Sequence, residues 1–243
     1  MINKIEKLKQ MIRESDNIVF FGGAGVSTES GIPDFRSKDG LYNQKYKYNP
    51  EIILSHEFFI ENTEEFYKFY KDKMNCLDVK PNVTHYALAK LEEIGKLKCV
   101  ITQNIDGLHQ KAGSKNVAEL HGSVLRNYCM KCRKKYEAKY IFDSESIPKC
   151  ECGSVIKPDV VLYGEGLNKA TFNNAQIAIQ NSDLLIVGGT SLTVFPACQM
   201  VEEYKGKNLV IINKDETSYN DMATLVINDS LGKVFKEILK EYS

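Results

Sequence analysis

Four short apolar runs constrain this chain more than any other feature. They are Asn17 to Phe21 (NIVFF), Lys98 to Thr102 (KCVIT), Asp183 to Val187 (DLLIV) and Asn208 to Ile212 (NLVII). A strand with one wet face alternates apolar and polar residues, whereas a run of Val, Ile, Leu and Phe without alternation is buried on both faces. Helical patterns separate the runs, as in Thr84 to Ile94 and Lys169 to Gln180. Buried strands joined by helices predict an α/β fold with a parallel sheet covered on both sides. A helix is also expected over the first 15 residues, where Ile5, Leu8, Met11 and Ile12 recur at helical spacing.

Two stretches break this rhythm. Gly31 to Pro81 is rich in aromatics and carries no strand signal, so it reads as helices and loops inserted after the first strand. Inside it, Phe66 to Tyr70 predicts one helix with a buried stripe rather than a platform for nucleic acid. Tyr128 to Pro158, with four cysteines and many charges, reads as a second insertion.

Charge and hydropathy exclude several classes. Thirty-two basic residues balance 32 acidic ones in 243, which argues against a general nucleic-acid binder. An apolar content of 43% excludes a disordered or collagen-like chain. The longest apolar runs, such as Leu184 to Val187, are four residues, against roughly 18 for a membrane span. The start, MINKIEKLKQMIRES, is charged throughout and lacks a signal-peptide core. A soluble, cytoplasmic protein with neither membrane nor nucleic-acid partner is expected. In that setting its seven cysteines are expected as metal ligands and buried thiols rather than disulfides.

Four of the seven form a pattern: Cys129-x2-Cys132, 17 residues, then Cys150-x-Cys152. This is close to a four-thiolate zinc site, and four thiolates leave no open position for water. One structural zinc ion is therefore expected, replacing a core that so small and polar an insertion cannot build. The second pair is one residue shorter than the usual knuckle, and Gly153 supports the tight turn it needs. Cys76, Cys99 and Cys198 are expected as buried thiols.

The first strand runs into Gly22-Gly23-Ala24-Gly25, where Gly23 and Gly25 are expected to let backbone amides approach a pyrophosphate at a helix N-terminus. The dehydrogenase fingerprint is broken, because Thr28 stands at its third glycine and no second strand ending in an acidic residue follows. Read alone, the loop is equally an ordinary strand-to-helix turn. A second glycine turn, Gly188-Gly189-Thr190-Ser191, follows DLLIV, and NLVII ends at Asn213, which is suited to a ribose hydroxyl. Three amide or acid side chains, Gln103, Asn104 and Asp106, follow KCVIT; they suit a sugar, or Asp106 caps the next helix. His121, before Gly122, is a candidate general base with a structural role as the alternative. Packing or surface roles are expected for His85 and His56, and a local hydrogen bond holding its loop for His109.

Taken together, GAGVS and SGIPDFR (Gly23 to Arg36), TQNID (Thr102 to Asp106), His121-Gly122, the four cysteines and Gly189-Thr190-Ser191 resemble the sirtuins, in the same order. The resemblance runs from about residue 10 to about residue 235. It implies an NAD-dependent protein lysine deacylase with a Rossmann-like domain (residues 1–30, 82–125 and 159–243). A small domain would comprise a helical and cofactor-loop insertion (31–81) and a zinc-binding module (126–158). The roles it implies place Ala24, Thr28, Phe35 and Arg36 along the cofactor loop. Gln103, Asn104, Ile105 and Asp106 would surround the nicotinamide and its ribose, and His121 would be the base. Thr190, Ser191 and Asn213 would hold the phosphates and adenosine, with Ser230 and Leu231 near the adenine. Val160 and Val161 would pair through their backbone with an acetylated protein or peptide.

The chemistry so implied consumes the dinucleotide. The acetyl oxygen of acetyl-lysine displaces nicotinamide from the sugar carbon, and a ribose hydroxyl deprotonated by His121 completes acetyl transfer. Sirtuins that take succinyl or malonyl groups resemble one another in a Tyr-x-x-Arg pair. This chain has Tyr67-Lys68-Phe69-Tyr70 at that stretch, so a neutral acyl group is expected. Protein mono-ADP-ribosyl transfer on the same scaffold, or a non-catalytic NAD- and zinc-binding module, are the alternatives.

Overall fold

All four apolar runs become neighbouring strands of one parallel sheet in a computed structural model that describes residues 2–35, 40–44 and 46–242. In chain order, α1 (Ile2–Glu14) leads into β1 (Ile18–Gly22). The short helices α2 (Pro50–Ile53), α3 (His56–Glu61) and α4 (Thr63–Lys73) precede α5 (Val83–Glu93) and β2 (Leu97–Thr102). Then follow α6 (Leu108–Lys111), β3 (Val117–Glu119), β4 (Gly122–Cys129), β5 (Lys135–Glu137), α7 (Ala138–Phe142) and β6 (Ile156–Val160). The chain closes with α8 (Lys169–Asn181), β7 (Leu184–Gly188), β8 (Asn208–Ile212), β9 (Leu225–Ile227) and α9 (Leu231–Tyr242).

The large sheet has the order β3-β2-β1-β7-β8-β9 with every pair parallel. Alternate side chains of each strand feed two cores. Ile18 and Phe20 face Leu8, Ile12, Leu88, Leu91 and Phe235 from α1, α5 and α9. Val19 and Phe21 face Ala175 and Ile179 of α8 and the 3-10 segment Ala197–Glu203. This is why the runs show no alternation: both faces are dry. Helix α1 buries Ile5, Leu8, Met11 and Ile12, as their spacing predicts. The edge strands β3 and β9 have three residues each, too short to carry a periodic signal.

The stretch between residues 31 and 81 holds helices joined by loops, with no strand among its described residues. The cysteine-bearing stretch folds as an antiparallel sheet of order β5-β4-β6. The two share one core, in which Phe59, Phe66, Tyr67 and Tyr70 pack with Val124, Ile141 and Ile156. The pairing Gly122↔Val160 carries this small sheet up to His121. Cys76, Cys99 and Cys198 are buried thiols.

One histidine differs from the sequence expectation. His109 holds no loop through its ring: both ring nitrogens are buried without a protein partner among the described residues. Its ring lies 4.8 Å from that of His85, behind Phe20. His85 is buried as well and accepts the N–H of Asn82 in the capping box that starts α5.

Candidate active site

In a parallel sheet every strand presents its carboxyl end at the same edge, where ligands bind. Here β1, β2, β7 and β8 end at Gly22, Thr102, Gly188 and Ile212 on that edge. The two glycine turns meet there backbone to backbone. Gly23 donates its N–H to Gly188 O at 3.3 Å, and Gly25 donates to Gly189 O at 2.8 Å. A Cβ on Gly25 would stand 2.7 Å from Gly189 Cα, so this approach requires glycine. The N–H groups of Gly23 and Gly25 themselves are thus spent on the neighbouring turn. Nor does a long helix begin here; two 3-10 turns, Ala24–Val26 and Thr28–Ser30, follow β1.

The polar residues after β2 are joined to these turns. Gln103 donates its N–H to Gly22 O at 2.9 Å, and its Oε1 accepts the Thr190 hydroxyl at 2.9 Å. Gln103 Nε2 is buried and has no partner among the described residues. Asn104 is buried, takes Thr102 Oγ1 on its N–H at 3.0 Å, and donates from Nδ2 to Ser27 Oγ at 3.1 Å. Ser27 donates in turn to Asp106 Oδ2 at 2.7 Å. Asp106 Oδ1 accepts the Leu108 N–H at 2.8 Å, so the acid both caps α6 and joins the network. Burial raises the Asp106 pKa above 3.8, and the bonds from Leu108 and Ser27 act against that rise.

His121 stands directly before β4, and its Nδ1 lies 2.9 Å from Gln103 O. A carbonyl can only accept, so the neutral ring carries its proton on Nδ1 and leaves Nε2 free to take one. Burial lowers its pKa below 6.5, against the opposing pull of the Gln103 carbonyl. Its own carbonyl accepts the Val161 N–H at 3.0 Å, while Val160 O accepts from Lys157 Nζ at 2.9 Å.

Other predicted residues lie around this centre. Thr28 is tied to Gly25 O at 3.1 Å, and Ala24 is half-buried beside it. Phe35 sits edge-on to Tyr42 with 5.5 Å between ring centroids, and together with Ile105 it packs against the shared small core. Arg36 lies outside the described residues. Ser191, exposed, shares a hydroxyl bond of 2.8 Å with Thr193. Asn213 follows β8 and donates to Asp215 O at 2.9 Å. Ser230 precedes α9, and the Leu231 side chain is buried against Gly188 and Gly189. The bonded network thus gathers Gln103, Asn104, Asp106, His121 and Thr190, while Ser191 beside Thr190, Asn213 after β8 and Ser230 after β9 make no bond to it among the described residues. Sequence reasoning gave no role to Ser27, whose partner Asp106 is 79 positions away. Nor did it find Glu29, whose carboxylate takes the Gly232 N–H at 3.0 Å and ties the loop after β1 to α9.

The four cysteines converge. Their sulfurs all lie within 4.8 Å of one another, with Cys129–Cys152 at 3.4 Å and Cys132–Cys150 at 3.5 Å. Tetrahedral zinc with bonds near 2.3 Å needs sulfurs about 3.8 Å apart, so the set fits one ion. The two loops differ by one residue and close alike. Cys129 donates its N–H to Lys134 O, Cys150 donates to Ser154 O, and each loop turns through a left-handed residue, Arg133 (φ 62°) or Gly153 (φ 82°). The Arg133 guanidinium lies 3.9 Å from the Tyr128 ring centroid, bracing the non-glycine turn. Backbone amides of Cys132 and Cys152 point at the sulfurs of Cys129 and Cys150 at 3.4 and 3.5 Å, as outer partners of thiolates do.

A model of the Sir2 family matches residues 23–196. The NAD-dependent protein deacetylase of Clostridium tetani is 59% identical over 240 residues, 97% of each chain. That of Clostridium acetobutylicum is 56% identical, over 98% of this chain and 99% of its own. Among solved structures, a Sir2 variant with deacetylated p53 peptide and 3′-O-acetyl-ADP-ribose superposes with a TM-score of 0.89 at 40% identity, covering 98% of both chains. Sir2 with a p53 peptide and NAD+ superposes at 0.86, also at 40% identity and 98% of both.

Proposed function

The chain belongs to the Sir2 family, and on that premise we infer that it is an NAD-dependent protein deacetylase acting on acetyl-lysine in a protein or peptide. The observation that carries the catalytic reading is the His121–Gln103 contact. It fixes the ring tautomer, and burial keeps the ring neutral, so a base with a free Nε2 stands at the sheet edge at neutral pH. The residues there fit NAD. Gln103 Nε2 is a buried donor without a partner among the described residues, suited to a ribose hydroxyl, and the Asn104–Ser27–Asp106 network offers a fixed set of polar groups beside it.

When bound, NAD supplies the electrophilic sugar carbon that accepts the acetyl oxygen as nicotinamide leaves. The chain's own contribution is position, dryness and proton transfer. Asn104 and Asp106 would hold the nicotinamide-ribose end, with Asp106 bonding the carboxamide. Phe35 and Ile105 exclude water from the reacting atoms. His121 Nε2 takes the ribose proton. Ala24 and Thr28 would serve the cofactor loop, a role also proposed for Arg36 on the sequence resemblance alone; Thr190, Ser191 and Asn213 would serve the phosphate and adenosine half, with Ser230 and Leu231 at the adenine. The Val161 N–H is engaged with His121 O, so peptide pairing at Val160 and Val161 falls to the groups these bonds leave open, the Val161 carbonyl first. Cys129, Cys132, Cys150 and Cys152 hold one structural zinc ion, and the residue groups 1–30 with 82–125 and 159–243, 31–81, and 126–158 act as sheet domain, cofactor-loop insertion and zinc module.

A neutral acyl group suits the site. The Tyr67 hydroxyl is spent on Ile156 O, and no arginine stands at Tyr70 to meet a carboxylate. Mono-ADP-ribosyl transfer is not favoured. Among the described residues no helix is long and apolar enough to cross a membrane. A cytoplasmic location is part of the proposal and rests on the sequence expectation. The test is nicotinamide release with and without an acetyl-lysine peptide, with mass spectrometry of both products. Loss of the acetyl group from the peptide is expected. Gain of ADP-ribose by the peptide, or no nicotinamide release, overturns the reading.

A further inference from the structure

Lys157 is a charged residue inside the small core, only 5% exposed. An ammonium has three donors, and this one uses all of them. Nζ lies 3.3 Å from Pro158 O, 2.9 Å from Val160 O and 3.1 Å from Glu165 Oε2. The same Glu165 oxygen accepts the Leu162 N–H at 3.0 Å, and Oε1 accepts from His56 Nδ1 at 2.7 Å. The junction of α2 and α3 pins the outer end: His56 donates its N–H to Tyr163 O, and Tyr163 donates its N–H to Leu54 O, both at 2.9 Å. The segment Pro158 to Glu165 therefore arches around one buried ammonium, with a carboxylate closing the ring.

We propose that Lys157 and Glu165 are positioning residues for the substrate peptide: their ion pair holds the arch that presents the Val161 backbone beside His121. The inference rests on the proposed function for what the arch binds. A buried charge pair is costly unless every partner is satisfied, and an apolar pair would fill the same space with less desolvation. Its retention here, with two of three ammonium bonds going to main-chain oxygens of the arch, is explained by the shape it enforces. Burial acts against the Glu165 carboxylate, yet the Leu162 N–H, His56 and Lys157 together hold its pKa below 4.5. The Glu165 carboxylate is therefore ionised at neutral pH. Neither residue bonds to Ser27, Gln103, Asn104 or Asp106 among the described residues, so the effect should fall on the peptide KM and not on the KM for NAD.

Steady-state kinetics on the zinc-loaded, full-length enzyme with an acetyl-lysine peptide provides the test. Lys157→Met and the isosteric Glu165→Gln should each raise the peptide KM about tenfold while the KM for NAD stays within about twofold. Lys157→Arg should recover most of the loss. The double variant Lys157→Met/Glu165→Gln removes the unpaired charge; if the pair shapes the arch, the high peptide KM persists. Recovery of the peptide KM in the double variant, equal rises in both KM values, or no change in either, overturns the proposal. Hydrogen exchange of residues 158–165 without substrates reads the arch independently of turnover, and faster exchange in Glu165→Gln is expected. Unchanged exchange there counts against the brace, whereas a wild-type enzyme that deacetylates nothing counts against the functional reading.

Discussion

Ser27 and Asp106 share a hydrogen bond of 2.7 Å across 79 positions of sequence, and it fastens the loop after β1 to the loop after β2. Ser27→Ala removes the donor to Asp106 and also the acceptor of the buried Asn104 Nδ2. Orphaning a buried amide and loosening a carboxylate costs roughly 1–3 kcal/mol. The KM for NAD should rise about tenfold or more, and the peptide KM should change less. A variant with wild-type NAD dependence would show that the bond does not shape the cofactor site.

His121→Ala should retain zinc and fold yet lose deacetylation by at least about a hundredfold. The wild-type pH profile carries the sign of the argument. The base works unprotonated and its pKa is lowered from 6.5 by burial. Activity should therefore fall only as the pH drops below about 6.5 and stay level from pH 7 to 8. An inflection at pH 7.5 or above in kcat/KM would contradict this assignment.

The buried pair of His85 and His109 predicts acid lability. Burial pushes their pKa values down to about 4 and about 3, with the His85 ring adding to the drop at His109. Each contributes stability fully present above the unfolded value of about 6.5. That stability is progressively lost as the pH falls toward the folded values. The slope is about 1.4 kcal/mol per pH unit for each proton taken up on unfolding. His109→Phe, which replaces a ring whose nitrogens have no partner among the described residues, should flatten the decline in Tm between pH 6.5 and 5. An equally steep decline in that variant would remove His109 as a source.

Zinc should be present at one ion per chain, and a strong chelator should abolish deacetylation together with the packing around β4 and β6. Cys129→Ser, which alters a buried ligand, should bind metal poorly and lose activity by more than tenfold. Full activity after complete metal removal would refute the structural role.

Succinyl-lysine should be hydrolysed at least tenfold more slowly than acetyl-lysine in the same peptide, because Tyr70 offers no cation to a buried carboxylate. Comparable kcat/KM values for the two peptides would overturn this.

Local patterns carried much of this protein. Residues a few positions apart settle their own geometry, so the register of α1, the dry strands and the cysteine pairs could be read from spacing alone. The QNID and HG strings likewise stand where the sheet edge needs polar groups. What spacing could not carry were contacts between distant segments. The glycines after β1 looked like a phosphate cradle, yet their amides go to Gly188 and Gly189, more than 160 positions away. Ser27 had no legible role until β2 brought Asp106 beside it. Lys157 read as one more charge in a polar insertion, and only the folding of residues 158–165 around it made the ammonium a structural centre. A backbone donor or a charged side chain has many possible partners in an unfolded chain. The amino-acid sequence fixes what each group can do, and the tertiary structure decides which partner desolvates it.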